Sequence, residues 1–158
     1  MRINRRTFIA AGTAIAIGPR GLWSQPSPNR ALNIACVGVG GRGWDNLNGV
    51  ASETIVALCD VDSRHLEKAA KEFPKAALFA DFRKMLEEID TIDAVVVSTP
   101  DHMHAPIASM AMKMGKHVYV EKPLTHSIHE ARTLATLAAE KKVVTQMGNQ
   151  GHAGKGVR

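Results

Sequence analysis

The sequence predicts an α/β fold, a doubly wound parallel sheet with helices on both faces. Three observations carry that prediction. Six short apolar runs alternate with segments of helical character. The first of these runs ends in a cluster of glycines that opens a helix. Strands buried on both faces read as continuous apolar runs rather than as alternating ones. A strand–helix alternation of this kind builds parallel sheets.

The first strand is read in Leu32–Gly38, and a helix is predicted over 42–50. Thr54–Cys59 is the second strand. Asp62 or Ser63 can cap the next helix, which runs to about Glu72, with Pro74 beyond its end. Ala76–Phe79 is a weak third strand, and Asp81 caps a short helix over Phe82–Glu88. The β-branched run Asp93–Ser98, stopped by Pro100, is the clearest strand. A helix from about Pro106 to Met114 ends at Gly115, a residue suited to a left-handed helix stop. Its methionines Met110, Met112 and Met114 read as core filling. His117–Glu121 is a strand stopped by Lys122-Pro123. Ser127 and Glu130 form a capping box for a helix to about Lys142, and Val143–Met147 is the last strand.

The formal charge of +5 resides in the first thirty residues, which hold Arg2, Arg5, Arg6, Arg20 and Arg30 and no acid. In the remainder, 15 basic side chains balance 15 acidic ones. The folded body therefore offers no basic field for nucleic acid, and 4% aromatic residues are too few for a base-stacking platform. Cys36 and Cys59 sit in neighbouring apolar runs. They read as small core residues rather than as a disulfide or redox pair.

Residues 1–30 read as an address and a linker. A basic start, an apolar stretch from Ala10 to Gly18 and Pro19 follow signal-peptide grammar. The apolar stretch is too short for a stable membrane anchor. Arg5-Arg6-Thr7-Phe8-Ile9 resembles the twin-arginine export motif. That resemblance implies the export machinery as a partner and a periplasmic or otherwise exported location.

Gly38-Val39-Gly40-Gly41-Arg42-Gly43 matches G-x-G-x-x-G in the required place, after a buried strand and opening a helix. Gly38 permits the tight turn, Gly40 lets backbone approach a pyrophosphate, and Gly43 allows close helix–strand packing. The helix N-terminus offers unpaired N–H groups to the phosphates. Asp60 ends the second strand, where a carboxylate can accept hydrogen bonds from both adenosine ribose hydroxyls and repel a 2′-phosphate. This Rossmann pattern favours NAD. NADP remains the alternative, because Arg42 beside the loop can pair with a 2′-phosphate. Asp62 reads as a helix cap rather than a ribose contact.

These segments combine with Ser98-Thr99-Pro100-Asp101-His102-Met103-His104 and with Gly115–Pro123. Together they resemble the N-terminal domain of the glucose–fructose oxidoreductase / inositol dehydrogenase family (Gfo/Idh/MocA). The resemblance covers about residues 32–150, and Glu121-Lys122-Pro123 is its most diagnostic piece. It implies an NAD(P)-dependent oxidoreductase acting on a sugar, polyol or related substrate. It also implies that Ser98, Thr99 and Pro100 line the cofactor crevice, that His104 lies near the nicotinamide, and that Glu121, Lys122 and Pro123 sit beside the nicotinamide ribose. Lys122 is the expected catalytic group, hydrogen-bonding the reacting hydroxyl or helping to remove its proton, with His104 beside it. His102 and His104 lack a third ligand at a fitting spacing, so no metal is expected. Asn149 and Gln150 either contact the nicotinamide or substrate or form a plain exit loop.

The family places an α+β substrate domain after this one. The sequence divides accordingly into a leader and linker at 1–30, a dinucleotide-binding domain at 31–150, and the start of a connection at 151–158. On this reading the chain is the cofactor half of an enzyme that is a homo-oligomer at full length. Two other readings stand beside it: a glycosidase of the same family that retains NAD, and a non-catalytic dinucleotide-binding module.

Overall fold

A computed structural model describes residues 30–153. The leader expected at 1–29, and the connection from 154 onward, lie outside the described residues. Six strands form one parallel sheet: β1 (Asn33–Val37), β2 (Thr54–Cys59), β3 (Ala77–Phe79), β4 (Ala94–Val97), β5 (His117–Glu121) and β6 (Thr145–Gly148). The helices are α1 (Arg42–Gly49), α2 (Ser63–Glu72), α3 (Phe82–Glu88), α4 (His104–Lys113) and α5 (Ile128–Lys141). Short 3₁₀ turns at Asp101–Met103 and Gln150–Ala153 complete the order.

The strands lie in the order β3-β2-β1-β4-β5-β6. The chain winds outward from β1 to β3, crosses back over β1 to β4, and winds the other way. The predicted fold class is borne out. Successive strand residues point to opposite faces, and each face has its own core. Ala35, Val37, Val95, Val97, Val118 and Val120 pack under α3, α4 and α5 with Leu86, Ile107, Met112 and Leu134. Ile34, Cys36, Leu58 and Val96 pack under α1 and α2 with Leu47 and Ala69. Cys36 and Cys59 thus belong to opposite faces, and both are free and buried.

Two boundaries differ from the sequence reading by two residues, and the others agree to within one. α4 begins at His104, two residues before Pro106, because proline is tolerated in a first turn where its missing N–H has no intrahelical partner. β6 begins at Thr145 rather than Val143. Lys142 takes a left-handed conformation, the Val143 N–H returns to the Ala138 carbonyl, and the Val144 N–H donates to His117 Nδ1. Ladder pairing therefore starts with Thr145 opposite Val118. No helix among the described residues is long and apolar enough to cross a membrane.

Candidate functional site

The direction of winding reverses between β1 and β4, and the loops leaving their carboxyl ends diverge there. Ligands in open α/β sheets bind in the crevice this creates. Gly38 is the first residue past β1, with a positive φ, and its N–H donates to the Cys59 carbonyl. A Cβ at Gly38 would lie 2.6 Å from the Ser98 carbonyl oxygen, and one at Gly43 only 1.8 Å from the Gly38 carbonyl oxygen. The glycines therefore let the loop after β1, the start of α1 and the loop after β4 come into contact. The first turn of α1 has Gly41 at its N-cap and no side-chain cap, whereas α2, α3 and α5 are capped by Asp62, Asp81 and Ser127.

Asp60 closes the side of the crevice beside β2. Its Oδ2 accepts from the Val39 N–H and its Oδ1 from the Asp62 N–H, both at 2.9 Å. His65 Nδ1 lies 3.5 Å from the same carboxylate, and the imidazole covers Gly40. Two backbone donors thus orient the carboxylate while further acceptor positions on its oxygens remain. Asp62 caps α2 through the Arg64 N–H, and the Arg64 side chain holds its carboxyl below the usual carboxylate range.

A cleft of about 550 Å³ runs from Gly38 and Gly40 past Asp60, Val61 and His65 to Ser98, Thr99 and Pro100. Ala80, Phe82, Met103 and Ile107 give it an apolar wall. Val61, 92% exposed, stands at its edge. Among the described residues, Thr99 Oγ1 is the one buried side-chain polar atom without a hydrogen-bond partner. A loop with no room for side chains, an uncapped helix start, an apolar wall and an unpaired hydroxyl fit a dinucleotide. Of the sequence-predicted residues, Gly38, Gly40, Asp60, Ser98, Thr99 and Pro100 converge on this cleft. Val39 is buried and reaches the cleft through its N–H on Asp60.

The other predicted residues gather at the ends of β5 and β6. Glu121 is buried, 5% exposed. Its Oε1 accepts from Arg42 Nε at 3.2 Å, Asn46 Nδ2 at 3.0 Å, the Tyr119 hydroxyl at 3.4 Å and Gln150 Nε2; its Oε2 accepts from the Lys122 N–H at 3.1 Å. Burial alone would push its pKa up, but the hydrogen bonds from Asn46, Gln150, Arg42 and the Lys122 N–H hold it at about 2. Lys122, Pro123 and Asn149 are exposed.

Four of the predicted residues are engaged by other parts of the protein. Arg42 does not face the Asp60 side: its guanidinium is held by Glu121 and Asp45, across β1 and β4 from β2. It is therefore not placed to select a 2′-phosphate beside Asp60. His104 is fully buried, with Nδ1 2.6 Å from the Pro123 carbonyl oxygen and Nε2 2.8 Å from that of Thr99. With both ring nitrogens on backbone carbonyls, it braces the crevice instead of presenting a catalytic group to it. The carboxylate of Glu121 is taken up by protein donors. Gln150 spends its amide N–H groups on Glu121 and Tyr119.

Sequence reasoning missed Asn46, Tyr119 and His65. Asn46 lies one helical turn after Arg42, and Tyr119 two strand positions before Glu121, so each shares a face with a residue already singled out. His65 carried no such signal.

Comparison with known proteins accords with this geometry. The profile of the Gfo/Idh/MocA oxidoreductase family, described as an NAD-binding Rossmann fold, matches residues 32–149. A glycosyl hydrolase family 109 protein of Solibacter usitatus is 37% identical over 94% of the chain, which spans 39% of that protein. The 4-carboxy-2-hydroxymuconate-6-semialdehyde dehydrogenase of a Sphingobium species is 32% identical over 75% of the chain, which spans 38% of it. The solved scyllo-inositol dehydrogenase of Lactobacillus casei, with NAD(H) and scyllo-inositol bound, superposes with a TM-score of 0.73 at 27% identity. That match covers 80% of this chain and 38% of the other. The chain thus spans about two fifths of the proteins it matches. With its 3-2-1-4-5-6 sheet, glycine loop and family profile, this chain belongs to the Gfo/Idh/MocA oxidoreductase family as an NAD-binding Rossmann domain.

Proposed function

We propose that the chain is the cofactor-binding part of an NAD-dependent oxidoreductase acting on a sugar, polyol or related alcohol. The observation that carries this reading is the Asp60 carboxylate, held by two backbone N–H groups beside the glycine loop at the switch point. There it would accept the adenosine ribose hydroxyls and disfavour a 2′-phosphate. Gly38, Gly40, Gly41 and Gly43, with Val39 and the start of α1, would receive the pyrophosphate. Ser98, Thr99 and Pro100 would line the path toward the nicotinamide.

When bound, NAD supplies the hydride acceptor. The chain's own part in the chemistry rests on Lys122, exposed at the end of β5. Its ammonium would hydrogen-bond the reacting hydroxyl and favour loss of the hydroxyl proton. Pro123 and Asn149, exposed nearby in sequence, would flank the nicotinamide side. Arg5-Arg6-Thr7-Phe8-Ile9 supports export through the twin-arginine route to the periplasm. Assembly into a homo-oligomer at full length belongs to the same proposal.

Titration of a Trp23→Phe chain with NAD and NADP tests the reading, because Trp44, one residue after Gly43, is then the sole tryptophan. Saturable quenching by NAD, weaker with NADP and lost in Asp60→Ala, is expected. Tighter binding of NADP would overturn the role of Asp60. Lys122→Ala should leave NAD binding intact while abolishing turnover in a protein that joins this domain to its substrate domain.

A second reading, an NAD-retaining glycosidase, is favoured by the 37% identity to a glycosyl hydrolase family 109 protein. Accumulation of NADH during turnover separates the two, since a dehydrogenase builds it up and a retaining glycosidase does not.

A further inference from the structure

Five donors meet on the carboxylate of Glu121, and they come from three segments: α1, the end of β5 with the turn after it, and the turn after β6. Arg42 and Asn46 lie on the first turns of α1. Tyr119 is on β5, the Lys122 N–H belongs to the turn that carries the Lys122 side chain, and Gln150 lies in the turn after β6. Asn46 also donates to Ser98 Oγ at 2.8 Å, so the end of β4 joins the same network. The neighbouring backbone is fitted to it. A Cβ at Gly148 would stand 2.4 Å from the Tyr119 hydroxyl and 3.0 Å from the Glu121 carboxyl carbon. A side chain at the end of β6 would therefore displace Tyr119 or Glu121 from the network.

We propose that Glu121 is a positioning residue, whose one buried carboxylate ties the first turn of α1 to the Lys122 turn and to the turn after β6. The purpose this assigns to the tie rests on the cofactor reading: it fixes the spacing between the phosphate-binding end of α1 and the Lys122 ammonium. The physical need is plain. The first turn of α1 and the Lys122 turn belong to different strand–helix units, whose strands β1 and β5 are separated by β4 in the sheet. Side chains that bridge the two add to the positioning that the sheet alone supplies. A charged acceptor shared by several donors is a short, strong bridge, whereas removing it leaves buried donors without partners. Supporting groups of this kind hold reacting groups in register without touching the ligand.

The test compares the full chain with Glu121→Gln, Gln150→Glu and the exchanged double variant Glu121→Gln/Gln150→Glu. NAD affinity is read by calorimetry, folding by circular dichroism, and backbone opening by hydrogen exchange. Glu121→Gln keeps the shape but removes the charge. It should fold and weaken NAD binding about tenfold, within the range of coupling between residues of one network. Gln150→Glu sets two carboxylates side by side and should also weaken binding. The exchanged pair relieves the repulsion of two carboxylates but leaves Arg42, Asn46, Tyr119 and the Lys122 N–H without their charged acceptor, so its affinity should stay about as low as that of Glu121→Gln. In Glu121→Gln, exchange at the Trp44, Lys122 and His152 amides should rise together.

A role confined to stability would lower the melting midpoint of both single variants and leave affinity per folded molecule unchanged in all three variants. That result overturns the proposal, as does faster exchange confined to the Lys122 amide. If the parent chain itself fails to bind NAD, the cofactor reading fails. The joint rise in exchange at the three amides then still supports the tie, and its absence refutes it.

Discussion

Gly43 has no room for a side chain. An added Cβ would meet the Gly38 carbonyl oxygen at 1.8 Å and Ser98 Cβ at 3.2 Å, and the first of these is backbone that cannot rotate away. Gly43→Ala is therefore expected to cost about 1–3 kcal/mol, the range of core overpacking, seen as a lower urea midpoint. Gly49 is the contrast: nothing lies within 4 Å of its Cβ position and its φ is not positive. Gly49→Ala should leave stability unchanged or raise it by about 0.4–1 kcal/mol, chiefly by restricting the unfolded chain. The two changes have the same chemistry, so opposite signs in one denaturation series test the packing argument directly. The cysteines give a second residue-scale expectation. Burial raises the Cys36 thiol to about 12, and burial with the charges of Asp60 and Asp81 does the same for Cys59. Neither should react appreciably with a thiol reagent at neutral pH until denaturant is added. Rapid labelling of the native chain at either position would contradict the packing described.

Helix starts were the most legible elements, because each is written in a few adjacent residues. Asp81 accepts from the Arg83 N–H, and Ser127 and Glu130 form the reciprocal capping box. Ser127→Ala should cost about 1 kcal/mol of stability by thermal or urea unfolding. Glu130→Ala added to it should cost less than the sum of the single changes, since both residues serve one motif. An additive result would mean the two halves of the box act independently. The elements that departed from expectation did so through partners distant in sequence. β6 starts late because His117, 27 residues earlier, takes the Val144 N–H. α4 starts early because His104 is drawn into the protein between the carbonyls of Thr99 and Pro123. Local propensity contains neither partner.

For the molecule as a whole, Glu121 makes stability depend on pH with a definite sign. Its folded-state value falls from 4.5 to about 2, so the stability it contributes is fully present above the unfolded value and is lost as pH falls through about 2. The melting midpoint of the parent chain should therefore drop between about pH 4.5 and 2, and Glu121→Gln should flatten that part of the profile. Identical acid limbs in the two chains would show that the charge carries no folding free energy. The order of strands and helices, the glycine loop and the position of Asp60 at the end of β2 are legible in the linear order of residues. Each of these follows from hydrophobic runs, turn residues and short fixed spacings, and the right-handed crossovers of parallel sheets leave few topologies for such an order. The family resemblance was legible for the same reason, since its motifs are contiguous. The partners of Arg42, His104, Glu121 and Gln150 emerge once the sheet is assembled. Arg42 and Glu121 are separated by 79 positions and Asn46 and Glu121 by 75, and they meet because β1, β4, β5 and β6 end along one edge of the sheet. Which side chains share a buried acceptor is a property of that edge, where donors from several strand–helix units compete for the same oxygens.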